Sequence, residues 1–347
     1  MSSWHAIDAL DEALERTKKL LLPLRPGFWL KIALVAMLAA GIGGGNGARL
    51  FQLESEDNIG NEVLALTVIA FAAITFLELV VDYLSSVFKF VYVKSLLTED
   101  LKIVEDFKAQ AGNGLKVFLL RVGVIAMMVV LLLAAISSGI LLSESMGTNF
   151  VMILWIVAGI LALVALVLVL TILFWLLDSF AVPIMYKKGL GVMAALKETL
   201  RLVSADFWQF AVYLLLLIAL GFVAAIPVLI FTMVLVLVVF AVFFAIGFIA
   251  GVGGTQPETL LSSITLTPAV VAVILIGSVL LMMLFLAGTY VIAVITLPIS
   301  VFFRYYSLIF LDRVDKGLGL FEGKKEVIKK EKKRKPQAKK KKVVKVY

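Results

Sequence analysis

The chain has 347 residues, 62% of them hydrophobic and only 16% charged, with a mean hydropathy of +1.09. Soluble domains run near half apolar and a quarter charged, so this balance excludes a soluble enzyme. Cysteine is absent, which excludes disulfide scaffolds, thiolate chemistry and Cys-ligated metal, and the formal net charge is +8.

In chain order, the first expected element is a cytoplasmic amphipathic helix from about Ser3 to Leu22. Trp4, Ile7, Leu10, Leu14, Thr17 and Leu21 recur at helical spacing. Its acids precede its bases, as the helix dipole favours. No cleavable signal is expected, because this segment lacks a basic stretch followed by a short apolar one. The first apolar run, 28–48, opens on Phe28-Trp29 and should act as an uncleaved anchor. Its Gly41–Gly47 stretch is no phosphate loop, since the GK[ST] ending is missing. A second run covers 63–97 and would reach roughly 50 Å as a helix, more than one bilayer needs. A second amphipathic helix is expected from Thr98, with Leu101, Val104 and Phe107 on one face. It leads into the run 115–142, which opens on Gly114-Leu115-Lys116-Val117-Phe118 and carries Arg121. The run 150–186 holds Asp178 and Pro183 near its end. A third amphipathic helix is expected over 191–203, with Val192, Leu196, Leu200 and Val203, and leads to Phe207-Trp208. The last runs are 207–251, kinked at Pro227, and 269–311, which contains Arg304-Tyr305-Tyr306.

Charge asymmetry orients these runs. The segments 49–62, 143–149 and 252–268 hold one basic residue, Arg49, and six acidic ones, whereas the alternate segments are lysine- and arginine-rich. Six transmembrane helices in three hairpins, each preceded by a cytoplasmic amphipathic helix, place the acidic loops outside and both termini in the cytoplasm. The expected fold is thus an all-α multi-pass protein of the cell membrane. Residues 1–323 form the transmembrane domain, with a net charge of −3. Residues 324–347 carry 12 Lys and Arg334 against two Glu, a net of +11, and form a disordered polybasic tail. The hairpins also hint at a threefold repeat, since Ala13-Leu14-Glu15-Arg16-Thr17 parallels Ala195-Leu196-Lys197-Glu198-Thr199.

The opening Trp4-His5-Ala6-Ile7-Asp8-Ala9-Leu10-Asp11-Glu12-Ala13, Phe28-Trp29 and Gly43-Gly44-Gly45 resemble an archaeal family of uncharacterised multi-pass membrane proteins. So do the Gly114–Phe118 motif with Arg121, Phe303-Arg304-Tyr305-Tyr306-Ser307-Leu308, and Leu311-Asp312-Arg313-Val314-Asp315. Pro183 with Ala194–Leu202 and Phe207-Trp208 is more distantly similar to the membrane domain beside some glycerophosphodiester phosphodiesterases. The resemblance implies a fold and a source, and no reaction.

Charges inside a span are costly, at about 2.5–3.5 kcal/mol each at the helix centre, so each needs a reason. Glu78 and Asp82 lie four residues apart on one helix face with Ser85, Ser86 and Lys89. Structural pairing with Arg121 or Lys89 is the expected role. The competing role is a cation, proton or basic-substrate path through Glu78, Asp82 and Arg121. Asp178 and Arg304, near span ends, lean towards structure. His5 stands alone and supports neither a catalytic triad nor a metal site. In the tail, Lys332, Lys333, Arg334, Lys335, Lys339, Lys340, Lys341 and Lys342 should draw anionic lipid headgroups, at about 1 kcal/mol per basic residue. A ribosome or an acidic protein is the alternative partner. The leading expectation is a membrane scaffold that binds lipid or partner proteins, with no catalysis, cofactor or metal. A transporter comes second and an insertase-like factor third.

Overall fold

The computed structural model describes residues 5–22, 24–41, 61–146, 149–249 and 268–321, and every element in it is helical. Helix α1 (His5–Leu21) is followed by α2 (Pro26–Ala40), α3 (Asn61–Thr98), α4 (Ile103–Met146) and α5 (Asn149–Leu176). A π turn (Leu177–Ala181) joins α5 to α6 (Val182–Lys188). Then come α7 (Val192–Ala205), α8 (Phe207–Ile249), α9 (Pro268–Ile295) and α10 (Leu297–Val314).

Three described stretches, Ile103–Gly139, Ile153–Lys188 and Phe207–Val238, are apolar and long enough to cross a membrane. The count becomes four if α9 and α10 form one span bent by 62°. Length and composition among the described residues therefore do not support six spans. Helix α2 has only 15 residues, about 22 Å of rise, and much of the expected run 28–48 lies outside the described residues. The described part of α3 is diluted by Glu78, Asp82, Lys89 and Lys94. These helices are compatible with a membrane protein.

Other expectations shift in detail. The second interfacial segment does not start at Thr98, which ends α3. It begins at Ile103 and continues without a break into the long apolar part of α4. Val104 is exposed, and Asp106 takes a buried place beside Phe107. On α1 the buried stripe is Ala6, Ala9, Ala13, Thr17, Leu20 and Leu21, while Ile7 and Leu14 are exposed. Small side chains let α1 approach its main partner, α10, closely. Helix α8 runs through Pro227 as one helix. The run 269–311, expected to form one span, is bent by 62° at Thr296. Pro298 has no N–H to continue the helix and its ring crowds the preceding turn.

One arrangement recurs three times. A cation near the end of one helix pairs with a carboxylate in the first turn or the middle of another. Lys94 of α3 pairs with Asp106 of α4, and Lys188 of α6 meets Glu198 of α7 at 3.2 Å. Arg313 of α10 meets Glu12 of α1 at 2.9 Å, so the last helix is joined to the first. The sequence parallel between α1 and α7 has a structural counterpart. Ala13 and Ala195 are both fully buried, and the following Thr17 and Thr199 hydroxyls donate back to the Ala13 and Ala195 carbonyls at 2.7 and 2.9 Å.

Helix ends leave carbonyls without intrahelical donors, and neighbouring helices supply them. Trp29 Nε1 donates to the Leu21 carbonyl of α1 (3.0 Å), Ser85 Oγ to Ala39 of α2 (3.0 Å), and Tyr305 to Leu96 of α3 (2.9 Å). Gly41 closes α2 at φ +87°, a conformation L side chains rarely adopt, so the first glycine of its run ends a helix. The rest of that run lies outside the described residues.

Candidate functional site

Where α3, α4, the π turn and α10 converge, five ionisable side chains meet. Asp82 and Lys89 come from α3, Arg121 from α4, Asp178 from the π turn and Arg304 from α10. Arg121 bridges two carboxylates, Asp82 at 3.3 Å and Asp178 by a shorter contact. Lys89 Nζ donates to the other Asp178 oxygen at 2.8 Å. Arg304 Nη1 donates to the Asp178 backbone carbonyl at 2.9 Å. Asp178 is therefore the hub.

The local backbone explains that hub. Pro183 has no N–H to offer the carbonyl four residues before it, and the chain widens into a π turn just upstream. Arg304 satisfies the Asp178 carbonyl there. Widening of this kind is frequent at functional sites.

Beside the cluster lies a cavity of about 390 Å³, within the range of small-ligand sites. Its polar lining includes Lys89, Asp178, Ser179, Ser300 and Arg304, and Ala36, Ala39 and Ala40 of α2 form an apolar wall. Tyr213, also on the lining, is held by stacking on Phe310 (4.4 Å between centroids) and Tyr306 (4.8 Å). Arg304 Nε and Nη2 are buried and have no hydrogen-bond partner among the described residues.

Of the charged residues singled out from sequence, the structure brings Asp82, Arg121, Asp178 and Arg304 together. It does not include Glu78, which is exposed on α3 and makes no ion pair among the described residues. Asp178 and Arg304, expected to lean towards structure, are both paired within the cluster. Sequence reading treated Lys89 as a local partner for Glu78 or Asp82, but its carboxylate is on another helix, 89 residues away. Tyr213 and Ser179 carry no sequence signal of their own, although Ser179 is flanked by Asp178 and by Pro183 four residues on. The tail lysines and Arg334 lie outside the described residues. Among those described, no group of three or more His, Asp or Glu is placed to hold a metal.

The fold and site define a class: an all-helical protein with membrane-length apolar helices converging on a charge-lined cavity. The chain belongs to DUF7544, a family of unknown function, whose model matches residues 4–321. This agrees with the resemblance to an uncharacterised family, and supports neither an archaeal source nor a phosphodiesterase-type membrane domain. No curated protein and no solved structure matches the chain.

Proposed function

We propose that this protein is an integral membrane scaffold that organises its surroundings by binding lipid or partner proteins, without catalysis of its own. In this reading it spans the cell membrane six times with both termini in the cytoplasm. Helices α2, α3 and the bent α9–α10 pair complete the three long apolar stretches. The observation that carries the scaffold reading is that Asp82 and Arg121 of the transport-path residues are locked in ion pairs, with Glu78 left outside the cluster. Asp82, Arg121, Asp178 and Lys89 are all engaged with one another. Exposed apolar side chains on α1 and α7 (Ile7, Leu14, Met193, Leu200), together with Phe207 and Trp208, suit a membrane interface. The tail would add attraction to anionic headgroups.

A specific observation favours a transporter as the second reading. Discontinuous helices at matching positions of repeats are typical of such proteins. Here the π turn before Pro183 and the bend before Pro298 both interrupt helices that lead to a clasp. The insertase-like reading would need Arg121 free, whereas its guanidinium bridges two carboxylates.

Reconstitution into vesicles decides between the first two readings. The scaffold should show no proton or cation flux at either of two pH values. Removing residues 324–347 should weaken its association with anionic vesicles in a salt-dependent way. A flux abolished by Asp82→Asn would replace the scaffold with the transporter. Vesicle association unchanged at low salt would remove the tail from the mechanism.

A further inference from the structure

The charge cluster is not balanced. Two carboxylates, Asp82 and Asp178, face three cations, Lys89, Arg121 and Arg304. Both Asp178 oxygens and Asp82 Oδ1 are taken by Arg121 and Lys89. Arg304 receives only a backbone carbonyl, through Nη1, and its other two nitrogens are buried without partners among the described residues. Leaving such donors unsatisfied is costly, and the cost is greater for a charged group. The excess positive charge sits on a cavity large enough for a small ligand, with hydroxyls of Ser179 and Ser300 and the Lys89 ammonium on the same lining.

We infer that this cavity is a binding site for a phosphate-bearing anion, with Arg304 and Lys89 as its charged donors. Arg304 lines the cavity, and a small turn of its guanidinium would bring the two unpartnered nitrogens to a planar or tetrahedral oxyanion in a forked geometry. Lys89 has donors beyond the one given to Asp178. The Ser179 hydroxyl suits a further oxygen of a phosphate, whereas Ser300 Oγ donates to the Thr296 and Leu297 carbonyls at 3.3 and 3.2 Å and would have to turn to join it. The wall of Ala36, Ala39 and Ala40 leaves room for an apolar or glyceryl substituent beside the phosphate. The same chemistry is presented by the headgroup of an anionic phospholipid and by a free phosphorylated metabolite. The inference goes beyond the scaffold reading and rests on it only for the protein's place in a membrane.

The test uses the full chain in a neutral detergent and in nanodiscs of either phosphatidylcholine alone or phosphatidylcholine with phosphatidylglycerol. Binding of inorganic phosphate is measured by calorimetry at fixed ionic strength, and melting temperature is measured in both kinds of nanodisc. The variants are Arg304→Gln and Ala36→Leu. The second fills the cavity without touching a charge, and so remains decisive if the first fails to fold. All proteins keep the tail, so any contribution from it cancels. Both variants should bind about ten- to a hundredfold more weakly than the parent. Loss of calorimetric phosphate binding identifies a free phosphate ligand. A phosphatidylglycerol-dependent rise in melting temperature, lost in the variants and with no response to phosphate, identifies a lipid headgroup. An equal response in the parent and Ala36→Leu, or none in any protein, overturns the site. None of these outcomes depends on the flux and tail-deletion results that decide the scaffold reading.

Discussion

Along α5 and its continuation the surroundings of the chain reverse within a few turns. Ile160, Leu161 and Leu168 are more than half exposed, whereas Leu177, Phe180, Ala181 and Ile184 are essentially fully buried. The same reversal runs through α3, from Ile69 and Phe76 to Val87, Phe90 and Val91, and through α8, from Phe222 back to Tyr213. The exposed halves are built of Leu, Ile, Val and Phe, which demand an apolar environment but specify no particular neighbour. The buried halves combine small residues, aromatic stacking and side-chain hydrogen bonds to helix ends. Fold specificity therefore resides at the clasped end of the molecule, and the other end needs only a medium as apolar as itself.

The comparison breaks most sharply at Asp178. Asp178→Asn deprives both Lys89 and Arg121 of a charged partner, which for a buried pair costs about 3–5 kcal/mol. It should lower the melting temperature more than Asp82→Asn, whose carboxylate is 36% exposed and pairs with Arg121 alone. Glu78→Gln should leave the melting temperature unchanged. Adding Lys89→Met to Asp178→Asn should recover part of the loss, as a double-mutant cycle reads directly. Equal effects for all three carboxylates would mean that Asp178 is not the hub.

Two glycines on α4 provide a smaller contrast. A Cβ on Gly114 would come within 2.4 Å of the Val87 side chain and 2.7 Å of the Val87 backbone, whereas one on Gly123 would meet nothing within 4 Å. Gly114→Ala should cost about 1–3 kcal/mol through overpacking, measured by thermal or denaturant unfolding. Gly123→Ala should be neutral, or stabilise by up to ~1 kcal/mol through helix propensity. A tolerated Gly114→Ala would contradict the close α3–α4 approach.

The smallest expected effect lies at the joint between first and last helices. Burial alone raises the Glu12 carboxyl, but hydrogen bonds and charge from Arg16 and Arg313 outweigh it and hold the group below the ordinary carboxylate range. Its contribution to stability is complete above the unfolded value of 4.5 and is lost as pH falls through the lower folded value. Because the pair is partly exposed, Glu12→Gln should cost no more than ~1 kcal/mol at neutral pH. The gap between parent and variant should close on acidification, and a gap that widens would reverse the assigned sign.

The helices were legible because long apolar runs and proline punctuation are local signals. The faces were less so. Ile7 and Leu14 are more hydrophobic than Ala6, Ala9 and Ala13, yet α1 approaches α10 through its alanines, because close approach selects small volume over hydrophobicity. Asp106 was passed over in favour of Val104, since its partner Lys94 lies in the preceding helix. In the candidate site, Asp82 and Arg121 were foreseen as partners, and they pair. The larger role of Asp178 was hidden because Arg121 and Lys89 are 57 and 89 residues away, and no periodicity spans such distances. The break at Thr296 had a visible cause in Pro298, whose weight within an apolar run is set by the packing around it.

The clasp between Arg313 and Glu12 joins residues 301 positions apart. During translation at roughly 5–20 residues per second, α1 emerges about 15–60 s before the helix that covers its alanine stripe. Until α10 has been made, that stripe lacks its main packing partner. The packing of α1 against α10 is therefore among the last contacts these residues can form.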